Sequence, residues 1–271
     1  MGGDPMEKIK FERVTKQFLV RDEQKKGILR EFTAVENIEF SVKRGEFITL
    51  VGPSGCGKST LLDLLLGLST PTKGRILIDN REITGPGLDR GIVFQQYALF
   101  PWKTARGNIE FGLEAGGVPK SEWKEKVGFY LNLVGLTEFA DRYPHELSGG
   151  MKQRVAIARS LAFNPDVLLM DEPFAALDAQ TRETLQAELL RIWEKTKKTI
   201  IFITHGIDEA VYLGERVVVL TPNPGSVKTI INIPLKNRLA DADIKSNPLF
   251  IKARHEVWSS LHEPEYLGAG I

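Results

Sequence analysis

The chain has 271 residues, 42% hydrophobic and 26% charged, with 36 Lys and Arg against 35 Asp and Glu and a formal net charge of +1. That length can bury the core of one large or two small domains, and the balanced charge supplies no bulk field for nucleic acid or anionic lipid. The one cysteine, Cys56, excludes an internal disulfide framework, and no apolar run reaches the roughly 18–20 residues that span a bilayer.

In chain order, KIKFERV (residues 8–14) and VENIEFSV (residues 35–42) alternate apolar with polar residues and predict half-exposed antiparallel strands. Between them LVRDEQKKGILREF (residues 19–32) is charged and contains a glycine, so it reads as an excursion loop. EFITLV (residues 46–51) is short and almost wholly apolar, as in a strand buried on both faces.

GPSGCGKST (residues 52–60) follows that strand, fits G-x-x-x-x-G-K-[ST] and runs into the helical LLDLLLGL. A strand, a glycine-rich loop and a helix N-terminus together make an anion cradle. Gly52, Pro53, Ser54, Gly55, Cys56, Gly57, Lys58, Ser59 and Thr60 are the candidate phosphate-binding set. Lys58 can bridge the outer phosphates, and the Ser59 hydroxyl can ligate Mg2+. A glycine turn with no ligand is the bland alternative, and the flanking strand and helix argue against it.

Helical patterns dominate residues 103–161, broken by a turn at Gly116-Gly117-Val118-Pro119. Within them LSGGMKQR, starting at Leu147, sets a serine and two glycines before a basic helical run, a second anion-type helix N-terminus. The residues alone favour Ser148 as the cap of its own helix.

DVLLMD (residues 166–171), TIIFIT (199–204) and RVVVLT (216–221) read as buried strands. The helix QTRETLQAELLRIWEK, with a core stripe of Leu185, Leu189, Ile192 and Trp193, lies between the first two. Strand and helix in alternation imply a parallel sheet covered on both faces. The first strand delivers Asp171 to its C-terminal edge, where a carboxylate can hold a Mg2+ shell, with Glu172 next to it as base for an attacking water. Nucleotide hydrolysis follows more readily from this pairing than nucleotide storage does. His205 ends TIIFIT on the same edge; a lone histidine there is more often structural. A tail with VKTIINIPL and a FIKARHEVWSSL helix is too short for another full domain.

Taken together these residues resemble the ATP-binding subunit of an ABC transporter over nearly the whole chain. The P-loop is followed in order by Gln95 in VFQQ, LSGGMKQ at residues 147–153, Asp171-Glu172, Ala176-Leu177-Asp178 and His205 in ITHG. The resemblance implies an α/β P-loop NTPase with a RecA-like core, an antiparallel β subdomain and an inserted α-helical subdomain. One ATPase domain is expected over residues 6–265: core and β subdomain at about 6–95 and 165–240, helical subdomain at about 96–164, and a helical tail at about 245–265. ATP and Mg2+ are the implied cofactors, with Ser59, Gln95 and Asp171 as metal ligands and Glu172, His205, Lys58 and Gln95 as catalytic residues.

The resemblance further implies that two copies stack head to tail, so that Ser148, Gly149 and Gly150 of one meet the γ-phosphate held by Lys58 of the other, with Asp178 also at the nucleotide. Phe18 stands where the family stacks an aromatic ring on adenine; an apolar residue closing a strand is the alternative. Gly206 departs from the acidic residue or serine usual after the switch histidine. Cys56, at the start of the P-loop helix, is expected to be reachable by thiol reagents, with loss of ATPase activity.

YALFPWKTARGNIEFGL, with Phe100 and Trp102, suits either local packing or a groove for a partner's short helix. The resemblance makes that groove, near Gln95–Trp102, the contact for a membrane permease, with a solute-binding protein engaged indirectly and no nucleic acid. GPGLDRGIVFQQYALFPW, DEPFAALDAQTRE and VVVLTPNPGSV most resemble the nitrate/sulfonate/taurine branch of bacterial importers, placing the chain on the cytoplasmic face of the membrane. A soluble ABC ATPase acting on DNA or ribosomes, or a P-loop kinase, is the rival reading.

Overall fold

A computed structural model describes residues 6–21, 29–241 and 243–262. The apolar runs become the middle of a six-stranded sheet. β3 (Phe47–Val51) and β8 (Thr199–Ile203) are buried at every residue, as strands covered on both faces must be. The sheet order is β10-β9-β3-β8-β7-β6, where β6 is Arg90–Val93, β7 Val167–Asp171, β9 Arg216–Leu220 and β10 Val227–Asn232. β6, β7, β8, β3 and β9 pair in parallel, and β10 closes one edge antiparallel to β9. The parallel register carries the ends of β3, β8, β7 and β6 to one edge, so the segments after them share one side of the sheet.

A second sheet, ordered β2-β1-β4-β5, is antiparallel and is formed by β1 (Glu7–Arg21), β2 (Leu29–Lys43), β4 (Lys73–Ile78) and β5 (Arg81–Glu82). Its inner face, with Ile9, Phe11, Ile38 and Phe40, packs with Ile48 and Leu50 of β3 and with Leu61, Leu64 and Leu65 of α1 (Lys58–Leu66). Buried Lys8 ties the two layers by ion pairs to Asp79 and Asp166.

The excursion expected over residues 19–32 is corrected. β1 and β2 continue as a hairpin, pairing Phe18 with Phe32, Leu19 with Glu31, Val20 with Arg30 and Arg21 with Leu29. None of residues 16–21 and 29–33 is buried. Backbone pairing therefore persists where no core selects alternating side chains, and the period-2 signal is lost. Residues 22–28 of that expected loop lie outside the described residues.

Three helices fill the stretch read as helical: α2 (Ala105–Ala115), α3 (Lys120–Leu133) and α4 (Gly149–Ala162). Thr104 caps α2 by accepting from Gly107 N–H, and the glycine-proline turn separates α2 from α3. Val155, Ile157 and Leu161 of α4 share a core with Ile109 and Leu113 of α2 and with Leu185 and Leu189 of α5 (Ala179–Thr196). On the other flank, α6 (Ile207–Leu213) and α7 (Pro248–His262) cover β9 and β10 through Val211, Phe250 and Val257. No helix among the described residues is long and apolar enough to cross a membrane.

Candidate nucleotide site

The P-loop turns from β3 into α1 through Gly57, whose φ of 86° a side chain resists, and whose Cβ would come within 2.3 Å of Val35 Cγ1 and 2.9 Å of Ala34 O. From the far side the segment after β9 closes in. A Cβ on Gly225 would stand 1.9 Å from Cys56 O, so that loop lies directly against the P-loop backbone. Together they bound a cavity of about 600 Å³ lined by Gly52, Ser54, Gly55, Gly57, Lys58, Ser59 and Thr60, with Glu172 and His205 on one wall and Phe32, Ala34 and Asn223 on another.

Lys58 Nζ donates to Gly52 O at 2.8 Å and Pro53 O at 3.0 Å, which folds the ammonium over its own loop at the cavity. Asp171 ends β7, half-buried. Burial first, and then the neighbouring Glu172 charge, push its carboxyl above the usual range, while Lys58 pulls it down.

Glu172 adopts φ 43°, in the left-handed region that a non-glycine residue enters at a cost. Its amide donates to Ile203 O at 3.0 Å, and its Oε2 lies 3.1 Å from His205 Nδ1. The base candidate and the histidine are thus one hydrogen-bonded pair on the wall facing Lys58.

The second anion corner stands elsewhere. Ser148 caps α4, accepting from Met151 N–H at 3.3 Å, as the residues alone suggested. Ser148, Gly149 and Gly150 are absent from the lining of the Lys58 cavity. Asp178 likewise caps α5, accepting from Thr181 N–H at 3.0 Å, and that hydrogen bond holds its carboxyl below the usual range. Gln95 is exposed beyond β6 and does not line the cavity.

Two side chains differ from expectation. Cys56 is fully buried, with Sγ turned toward the core and 3.6 Å from Lys58 Nζ, so the thiol is shielded from the reagents expected to reach it. Phe18 does not line the cavity, whereas its cross-strand partner Phe32 does. Phe32 was missed because it falls in the stretch read as a loop; Asn223 was missed because a Pro-flanked residue in a turn carries no phosphate signature.

From the last turn of α4, Arg159 donates to Ala98 O at 2.6 Å and Tyr97 O at 3.2 Å, holding two successive residues at φ 47° and 60° just after Gln95. It also lies 5.5 Å from the Phe100 ring, which contacts Trp102 and Phe111. Trp102 is 70% exposed, so this aromatic surface is not buried by the chain's own core.

A parallel sheet with a glycine-rich phosphate loop after β3, an acidic pair at the end of β7 and a histidine after β8 defines a P-loop nucleotide hydrolase. The ABC transporter family matches residues 35–175. An uncharacterized ABC transporter ATP-binding protein of Methanocaldococcus jannaschii is 55% identical over 229 residues, 84% of this chain and 83% of that protein. The nitrate import ATP-binding protein of Synechocystis is 50% identical over 239 residues, 86% and 89% of the two chains. The taurine import ATP-binding protein of Rhizobium johnstonii is 46% identical over 242 residues, 88% and 92%.

A solved dimeric ATP-binding cassette in a post-hydrolysis state with ADP and phosphate superposes with a TM-score of 0.70 at 34% identity, covering 84% of this chain and all of that one. The chain belongs to the ABC transporter ATP-binding family, in the branch that includes nitrate and taurine importers, and it is an ATPase.

Proposed function

We propose that two copies of this chain stack head to tail around ATP and drive uptake of a small solute, of the nitrate, sulfonate or taurine class, through a membrane permease. The carrying observation is the division of the site. Lys58, Glu172 and His205 share one cavity, while the Ser148–Gly150 corner lies outside its lining, where a second copy can supply it. Residues 6–265 act as one ATPase unit in this reading, of which 22–28, 242 and 263–265 lie outside the described residues.

Within the unit, backbone donors of residues 52–60 and the α1 N-terminus hold the phosphates, and Lys58 leaves its carbonyl contacts to bridge the outer ones. Glu172 accepts a proton from the attacking water. His205, bonded through Nδ1 to Glu172, keeps its other ring nitrogen for the γ-phosphate. Ser59 and Asp171 offer an oxygen-only donor pair that suits a hard cation taking the rest of its shell from phosphates and water, with Gln95 as a third candidate ligand. Mg2+, when bound, neutralises charge on the outer phosphates. Asp178 fixes the start of α5 beside the partner copy.

The permease contact is the aromatic surface of Phe100, Trp102 and Phe111 beyond Gln95. Arg159 links it to the signature helix, so closure around ATP moves the surface. A solute-binding protein acts on the far side of the membrane, and this chain sits on the cytoplasmic face without spanning it. Kinship to importer subunits favours transport over action on DNA or ribosomes. Co-purification with a multi-span membrane protein tests the proposal. Trp102→Glu is expected to abolish capture while ATP binding stays intact; capture unaffected by that change contradicts the assigned surface.

A further inference from the structure

Gly206 begins α6 without any side chain to cap it. Its φ of −86° is open to any residue, and a Cβ there would meet nothing closer than Glu209 Cβ at 3.4 Å. Neither backbone conformation nor space therefore demands a glycine. The α6 N-terminus is nonetheless held, by a different route. Gly206 N–H donates to Thr204 Oγ1 at 2.9 Å, and the Thr204 hydroxyl donates to Glu209 Oε2. Glu209 Oε1 accepts from Gln186 Nε2 of α5 at 2.9 Å. An N3 glutamate commonly reaches back to the N-cap amide directly. Here Glu209, the third residue of α6, does so through one intervening hydroxyl.

His205 sits inside this loop, between Thr204 and Gly206. Thr204 is also fixed through its backbone, donating to Leu50 O of the P-loop strand at 3.2 Å. Thr204 and Gln186 are both buried, at 2% and 5% exposure, while Gly206 and Glu209 are partly exposed. It lines a cavity of about 520 Å³ that also touches Glu172 and His205.

We infer that Glu209 is a positioning residue for His205. Through the relay Gln186–Glu209–Thr204–Gly206 it holds the Gly206 amide, and it ties the switch histidine to α5, the helix capped by Asp178. The inference rests on the proposed role of His205 in hydrolysis. With the relay cut, the His205 loop loses its fixed position relative to Glu172, and a misplacement of about 1 Å at a reacting group costs up to roughly a hundredfold in rate.

The test is steady-state ATPase of the full chain with Mg2+, in wild type, Glu209→Ala, His205→Ala and the double variant, with folding checked by melting temperature. Glu209→Ala is expected to lower kcat by about ten- to a hundredfold with KM for ATP unchanged. The same change in the His205→Ala background is expected to cost nothing more, because the relay acts through that histidine.

Glu209→Gln keeps an oxygen for the Thr204 hydroxyl and is expected to retain most turnover, which provides the comparison if the alanine variant does not fold. Wild-type kcat in Glu209→Ala, losses that multiply across the double variant, or a glutamine variant as damaged as His205→Ala would each overturn the relay. Wild-type kcat in His205→Ala itself would instead refute the role given to the histidine, and the relay's catalytic meaning with it.

Discussion

The two serine- and glycine-bearing helix starts, at residues 52–60 and 147–153, are built from similar materials and end in different states. At residues 52–60 the glycines, Lys58 and the N-terminus of α1 converge on a cavity that already contains Glu172 and His205. At residues 147–153 the same kind of sequence produces a capped helix whose serine is bonded to its own backbone and which lies apart from that cavity. The first corner is complete within one chain. The second carries Ser148 exposed at the start of α4, and in the proposed stacking another copy brings its cavity to it.

Substitutions at the two corners should therefore separate binding from turnover. Ser148→Arg places a bulky cation at the second corner and is expected to reduce ATPase to background while nucleotide affinity, measured by fluorescence titration, stays near wild type. Equal loss of both would erase the distinction between the corners. Glu172→Gln is expected to cut kcat by about 10²–10⁴-fold while ATP binding persists, and to accumulate a dimer when sized with ATP.

Phe32→Ala is expected to weaken ATP binding by about 1–3 kcal/mol, if base stacking follows the scale measured for nucleic acids, with Phe18→Ala weaker in effect because Phe18 stands outside the cavity lining. The reverse order would return the stacking role to Phe18. Smallest, Lys8→Met is expected to lower stability by about 1–2 kcal/mol in urea titration, since the partner carboxylates remain partly solvated, and to leave ATP affinity unchanged.

The first corner was legible because its chemistry is contiguous. Gly52 to Thr60 carry spacing, strand and helix in one stretch, and Asp171-Glu172 ride on a strand whose unbroken apolar run is unmistakable. The parallel sheet was legible for the same reason, since burial on both faces leaves a continuous signal in residues 47–51, 167–170 and 199–203. The pairing of residues 17–21 with 29–33 was not, because none of these residues is buried and no core imposes alternation on them. Phe32 and Asn223 reach the cavity by tertiary approach from segments distant in sequence. Cys56 looked reachable because position in a loop says nothing of side-chain direction, and its sulfur turns inward against Lys58. The Glu209 relay was hidden as well, since the distances joining Gln186, Thr204 and Gly206 exist only once α5 and α6 are packed.

The division of the ATP site between two copies is tested most directly by mixing Lys58→Ala and Ser148→Arg subunits and measuring ATPase of the mixture. Each variant alone is expected to be silent. In a mixed pair one of the two sites joins an intact P-loop from one subunit to an intact signature corner from the other, so activity should reappear on mixing. A mixture as silent as its parents, with mixed dimers demonstrably formed, would contradict the shared site.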